Sequence, residues 1–377
     1  MVTRIALRIA DSVASRPMGL SRLGQRVQIG CLVGAVAVSG LVAAAPANAA
    51  PNGPTARYVD TMTVPDNFVP TPFRFGGLSG IDNIGGGNYV AVSDDPGKFG
   101  PARYFQFRLP ITGNGQFATR TPVLTNAGTI LGPGNIPLLP GQMDLEGIRK
   151  LGGNFVVSSE GARPFVRVVT PPGLYVRDIP IPAAYRPGPG RGLKTNDGFE
   201  GLTVTRSGQV ALMTESALVQ DGGDPTKAAG TRSRLLITGA RGNSEYVYRT
   251  DPIARNASSR ATNGVSEILS ISSTDYLVLE RGFDPVANRN SIKVYAATTR
   301  GATSVTGVNK LSGREVPMSK RLVFDFAKLP MLRPDNVEGM AWGPTISGGR
   351  RTLILISDDN FNNPAQHTKL HTLALTF

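Results

Sequence analysis

One phrase recurs along this chain. An acidic residue and a glycine open an apolar strand, a turn follows, and a second apolar strand ends in another acid. It reads DLEGIRKLGGNFVVSSEG from Asp144, GFEGLTVTRSGQVALMTES from Gly198 and NVEGMAWGPTISGGRRTLILISDDN from Asn336. Looser copies are GVSEILSISSTDYLVLERGF from Gly264 and GLSGIDNIGGGNYVAVSDDPG from Gly77, the latter with Ser79 at the acid position. The spacing, about 55 to 70 residues, matches a repeat unit of several strands that buries its apolar face only against its neighbours.

The segments between glycines and prolines are short and rich in Val, Ile, Leu and Tyr, such as Asn88 to Ser93, Val210 to Thr214 and Thr352 to Ile356. Runs of this kind bounded by turn formers read as strands, and helical periodicity is missing after the first fifty residues. Each copy extends past its second acid: Phe165 to Thr170 and Tyr175 to Ile179, Arg234 to Thr238 and Glu245 to Arg249, Ile292 to Ala296, and Lys369 to Thr376. The expectation is an all-β chain, a β-propeller of five or six four-stranded blades, because radial repetition protects sheet edges. Arg57 to Val64 reads as an extra strand that completes the C-terminal blade. A sixth blade has room only in Thr112 to Gln142 or Thr299 to Phe326, and the stretch from Gly113 to Gly141, dense in Gly, Pro and Asn, reads as a long surface loop.

Residues 1–49 read as a secretory signal peptide. Arg4, Arg8, Arg16, Arg22 and Arg26 form a positive n-region, Ile29 to Ala45 is apolar, and Ala47-Asn48-Ala49 is a small-residue cleavage site. Residues 50–377 then form one exported domain, secreted or in the periplasm or cell envelope, with an uncleaved anchor as the alternative. The only cysteine, Cys31, falls in the signal, so disulfides, thiolate chemistry and cysteine-ligated metals are excluded from the mature domain. Cleavage lowers the formal charge from +13 to about +9, a balance that attracts anions. No basic run or nucleic-acid motif accompanies it, and no second apolar stretch approaches a spanning length, so the expected form is a monomer that binds neither nucleic acid nor membrane.

Strand direction locates the acids. The first two strands of a blade are antiparallel, so the start of one and the end of the next share an edge. Glu146, Glu200, Glu267 and Glu338 start first strands; Asp94 or Asp95, Glu160, Glu215, Glu280 and Asp358 end second strands. All should gather on one face, the first set nearest the axis. Crowded carboxylates raise one another's pKa or demand a cation, and an all-oxygen donor set with two histidines and no mature cysteine suits calcium better than zinc. Lys98, Arg149, Arg163, Lys194 and Arg281 lie within a few residues of the acids and could bind a phosphate ester or another anionic small molecule. The competing reading is structural, with glutamate capping a turn and glycine permitting a bulge or close backbone approach. Ser79 and Glu267, the latter lacking its glycine, depart from the pattern and centre the expected site on Glu146, Glu200 and Glu338. His367 and His371 would stand roughly 13 Å apart on a strand, too far for one metal.

The phrases DLEGI, NDGFEGLTV, DNVEGMAW and LILISDDNFN, with SSEG and TES, resemble the family called esterase-like activity of phytase, from about Phe75 to Phe377. That family is similar in style to the calcium-dependent β-propeller phytases. The resemblance implies phosphoric-ester hydrolysis, with Glu146, Glu200 and Glu338 as catalytic acids and Asp144, Asp197 and Asp335 beside them; Glu160, Glu215 and Asp358 complete the expected metal set. The alternatives are a propeller lactonase or carboxylic esterase, and a non-catalytic binding propeller stabilised by calcium.

Overall fold

The computed structural model describes residues 53–66, 68, 73–240, 242–329 and 331–377; the expected signal segment and Cys31 lie outside them. Twenty strands form five antiparallel four-stranded sheets. Blade one is β2 (Leu78–Gly85), β3 (Asn88–Ser93), β4 (Arg103–Arg108) and β5 (Val123–Thr129). Blade two is β6 (Leu145–Leu151), β7 (Asn154–Ser159), β8 (Phe165–Val169) and β9 (Tyr175–Asp178). Blade three is β10 (Phe199–Val204), β11 (Val210–Thr214), β12 (Arg232–Gly239) and β13 (Gly242–Arg249). Blade four is β14 (Gly264–Ser270), β15 (Asp275–Asp284), β16 (Arg289–Thr298) and β17 (Ser319–Asp325). Blade five is β18 (Asn336–Ile346), β19 (Arg350–Asp358) and β20 (Lys369–Thr376), completed on its outer edge by β1 (Thr55–Thr63). Helical structure among the described residues is limited to 3-10 turns of three residues, and none is long and apolar enough to cross a membrane.

The blade count is five. Both stretches that could have hidden a sixth blade supply only the fourth strand of an existing one, β5 and β17. The segment from Gly113 to Gly141 is therefore not one long loop: β5 runs through it along β4, although none of its residues is fully buried. The N-terminal strand closes the ring as expected, pairing with β20 from Thr55↔Thr376 to Thr63↔Lys369. His371 on β20 is fully buried against Phe326, with Nδ1 2.7 Å from the Thr61 hydroxyl; burial pushes its pKa down to about 3, so it stays neutral. It is a core histidine tying the closing strands together.

The innermost strands β2, β6, β10, β14 and β18 surround the axis, and each opens with a register shift against its neighbour. The glycine after the acid answers a packing constraint there. A Cβ on Gly147 would stand 2.6 Å from Leu202 Cβ, and one on Gly339 would stand 2.3 Å from the Ser79 carbonyl oxygen. The inner strands approach too closely for any side chain at that position.

Blade four breaks this rule, and its register shows why the sequence pattern misleads there. The shifted residue is Ser266, and Glu267 pairs with Leu279 in the slot that Gly147, Gly201 and Gly339 occupy elsewhere. Strands β14 and β18 pack less closely than the other inner pairs, which makes room for the side chain. Glu267 reaches across the axis to Arg149 of blade two, Oε2 to Nη2 at 2.5 Å, and Oε1 accepts the Leu202 and Ile268 amides. Arg149 also donates to the Ile81 and Ile268 carbonyls. One buried ion pair thus joins four blades through the centre.

Removing one partner would strand a buried charge, which costs about 3–5 kcal/mol, whereas replacing both by apolar residues of similar volume is close to neutral. Arg149→Met alone should therefore lower stability severely in chemical denaturation, and adding Glu267→Leu should recover most of the loss. Additive losses in the double variant would refute a paired role.

Candidate metal and active site

With β14 and β15 in their observed register, the acids form two aligned rings at one end of the channel. The inner ring is Ser79, Glu146, Glu200, Ser266 and Glu338, the residues at the five register shifts. The outer ring follows the end of each second strand: Asp94, Glu160, Glu215, Arg281 and Asp358. Four of these follow a buried hydroxyl residue, Ser93, Ser159, Thr214 or Ser357. In blade four the register is displaced by one, so Glu280 takes the hydroxyl position and Arg281 the acid position. Blade four therefore contributes a serine and an arginine where three other blades contribute two carboxylates each.

Three interlocking carboxylate groups result, each with oxygens within 4.8 Å of one another: Asp94 with Asp144 and Glu146, Asp94 with Glu338 and Asp358, and Glu146 with Glu160 and Glu200. Their few local hydrogen bonds are to Glu160, which accepts the Gly198 amide at 2.9 Å, to Glu338 and Asp358, which share the Asn336 amide group, and to Asp358 from the Asn360 amide at 2.8 Å. Among the described residues no protein group donates to Glu146 or Glu200, so neither caps a turn. Glu338 Oε2 and Asp144 Oδ1 are buried without a partner. Buried oxygens left unpaired cost free energy comparable to a lost hydrogen bond.

Electrostatics agree with the geometry. Burial, with neighbouring carboxylates adding to it, pushes the pKa values of Asp94, Glu146, Glu200 and Asp358 well above the carboxylate range. Glu160 is pushed up to about 8 by burial, and Glu215 to about 7 by burial against the pull of Arg281. Arg281 is the cation of the rings, Nη2 3.4 Å from Glu215 and 3.5 Å from Glu338, and those acids raise its own pKa. One guanidinium cannot balance eight carboxyls. The donors are all hard oxygens, with no histidine or cysteine in the groups, and these buried acids could hold a metal ion.

The structure gathers Asp144, Glu146, Glu160, Glu200, Glu215, Glu338 and Asp358 as the repeat suggests, and separates others. Asp197 lies beside the rings but faces Lys194 at 3.5 Å and the Ser216 hydroxyl at 3.0 Å. Asp335 belongs to none of the three groups; it accepts the His367 amide and pairs with Lys369. Arg149 departs furthest from an anion-binding role, because its guanidinium is committed to Glu267 and to backbone carbonyls. Glu280 is likewise structural, accepting from Tyr248 and Asn263 and pairing with Lys320. Lys194 adds a positive charge near Glu215, and Lys98 and Arg163 are exposed on the loops after the second strands of blades one and two. Asp94 is the acid that repeat reasoning left unassigned, though the hydroxyl-acid pair Ser93-Asp94 matches Ser159-Glu160 and Ser357-Asp358.

No curated protein sequence matches the chain. Among solved structures it is similar to an endo-arabinase from Bacteroides thetaiotaomicron, at 10% identity over 82% of this chain and 96% of that one, TM-score 0.45. It is also similar to a mannose phosphorylase from Leishmania mexicana, at 9% identity over 84% of this chain and 88% of that one, TM-score 0.39. A family model described as phytase-like, esterase-like activity of phytase, matches residues 73–361, which take in the acids of both rings. This five-bladed propeller belongs to the phytase-like family, esterase-like activity of phytase.

Proposed function

We propose that the protein is an exported, calcium-dependent phosphoric-ester hydrolase. The observation that carries this reading is the set of interlocking buried carboxylates with orphaned oxygens at Glu338 and Asp144. Glu146, Glu200 and Glu338 are the central ligands, with Asp94, Asp144, Glu160 and Asp358 completing the oxygen donors. Calcium, when bound, supplies the positive charge that phosphoryl oxygens and an attacking water need. Arg281, held between Glu215 and Glu338, keeps a fixed positive charge at the blade-four side of the rings, and Lys194 and Lys98 extend it toward the rim. The acids, once ionised, can take the proton from water as it attacks phosphorus.

Release of phosphate from p-nitrophenyl phosphate and from phytate, measured with calcium and with chelator, checks the reaction. Turnover should require calcium and fall on the order of 100-fold in Glu200→Gln, as expected for loss of a group that holds transition-state charge. Metal-independent turnover, or full activity in that variant, would overturn the reading; hydrolysis of lactones or carboxylic esters in its place would shift the chemistry to the carbonyl.

Cation dependence of stability has a definite sign. Raised folded-state pKa values, such as Glu160 at about 8 against 4.5, favour the fold at low pH and disfavour it as pH rises through them. Cation-free protein should therefore melt progressively lower than calcium-loaded protein between pH 5 and pH 8, approximately the window between the unfolded and folded values. Equal melting temperatures at pH 8 with and without calcium would contradict the site. Export rests on the arginine-rich and apolar start of the chain, and the mature N-terminus, read by mass spectrometry, should begin at Ala50.

A further inference from the structure

The three carboxylate groups differ in their access to solvent. Glu146, Glu160 and Glu200 are all buried, whereas Asp94 is partly exposed. With Asp358 it forms one wall of a pocket whose other walls include Lys98, Phe99, Asn360 and Phe361. The same two acids belong to the group completed by Glu338, whose buried Oε2 has no partner. Two of its acids line the pocket, and the group of Asp94, Asp144 and Glu146 reaches it through Asp94 alone.

The pocket's aromatic wall is held in place at a conformational cost. Asn360 and Phe361 both lie in the left-handed region, φ 48° and 51°, where a residue other than glycine is disfavoured, and such strain persists where the surroundings over-determine it. Asp358 Oδ1 accepts the Asn360 amide at 2.8 Å. Asp359, itself buried, accepts the Phe361 amide at 3.1 Å and the Gly77 amide at 2.7 Å. The Phe361 ring thereby lies 4.4 Å from the Phe99 ring, and the Arg74 guanidinium covers Phe99 at 4.0 Å. Two tilted rings stand beside Asp94 and Asp358.

We infer that this pocket receives the leaving group of the substrate and favours a phosphate ester of a ring-bearing alcohol, of the aryl phosphate class. The inference rests on the hydrolase reading above. Arg74, Lys98 and Arg103 lie over the faces of Phe99 and Phe361, and the ring edges in the pocket wall are what a ligand ring packs against. Lys98 in the pocket wall and the Arg74 guanidinium over Phe99 supply cations for a phosphoryl group. In the reaction the oxygen of water bonds to phosphorus, the bond from phosphorus to the ring oxygen breaks, and the alcohol leaves with the proton that water gives up.

The test separates the pocket from the reaction by using ligands that are not hydrolysed. Binding of phenylphosphonate and methylphosphonate to the calcium-loaded protein is measured by calorimetry. The wild type should prefer the phenyl compound about tenfold, the ratio expected from one aromatic contact. Phe361→Asn, which tolerates the left-handed conformation, should close that gap, as should Phe99→Leu at a position with ordinary backbone geometry; Phe361→Tyr should retain it. Equal binding of the two phosphonates by the wild type, or a gap unchanged in both Phe361→Asn and Phe99→Leu, overturns the pocket assignment even if phosphate esters are turned over. Absence of any ester turnover alongside a gap that closes as described would instead sink the hydrolase reading and leave the ring-binding pocket standing.

Discussion

Convergence of five inner strands on one axis is the constraint from which the rest follows. Where β2, β6, β10, β14 and β18 begin, neighbouring backbones come within van der Waals contact, and the glycine after the acid position has no room for a side chain in three of the five blades and is tightly packed, at Gly201, in a fourth. Glycine is required there by space. The residue before it is turned toward the top of the channel, so the packing rule also aims a polar side chain at a shared point. Acid and glycine are adjacent because one local geometry excludes a Cβ at one position and presents the preceding side chain at the next.

That geometry concentrates charge. Eight carboxyl groups, most of them buried, face one arginine, and burial and mutual repulsion raise their pKa values. Such an arrangement destabilises a fold unless a cation or protons compensate, so a chain that keeps it accepts a cost in stability for the sake of the site. The channel's other buried charge is handled differently. Arg149 and Glu267 satisfy each other across the axis and bind backbone groups of several blades, which makes them part of the fold. Two sets of buried charge, a few residues apart along the same strands, thus have opposite character: one self-compensated, the other a cluster of acids that could hold a metal ion.

Blade four gives the rings their polarity. Ser266 and Arg281 stand where Glu146 and Glu160 stand in blade two, so the carboxylates run from blade five through blade one to blade three and end against a guanidinium. Blade one lacks the inner acid but provides Asp94, which like Glu146 is shared by two of the three groups and which lines the pocket at the seam with blade five. An asymmetric ring has distinguishable sectors, a closed one between blades two and three and an accessible one between blades five and one.

Much of this protein was legible in its sequence. Alternation, turn residues and the repeat led to an all-β propeller, to the strand limits of β3, β11 and β20, to closure by the N-terminal strand, and to the shared face of Glu146, Glu200, Glu338, Glu160, Glu215 and Asp358. These follow from local periodicity and strand direction, which a sequence carries residue by residue. Register across strands does not, because hydrogen-bond pairing is set by neighbours distant in the chain: the one-residue displacement in blade four made Glu267 and Glu280 look like site acids and hid Arg281 as a ring member. The same holds for the blade count, where β5 is an edge strand without a buried residue and the apolar run Leu322-Val323-Phe324 of β17 is too short to mark its place in a blade. Only the tertiary structure decided that Arg149 spans the channel, that Asp197 and Asp335 turn to other partners, and that Asp94 opens onto a pocket. Each of those depends on which distant residue stands opposite in space.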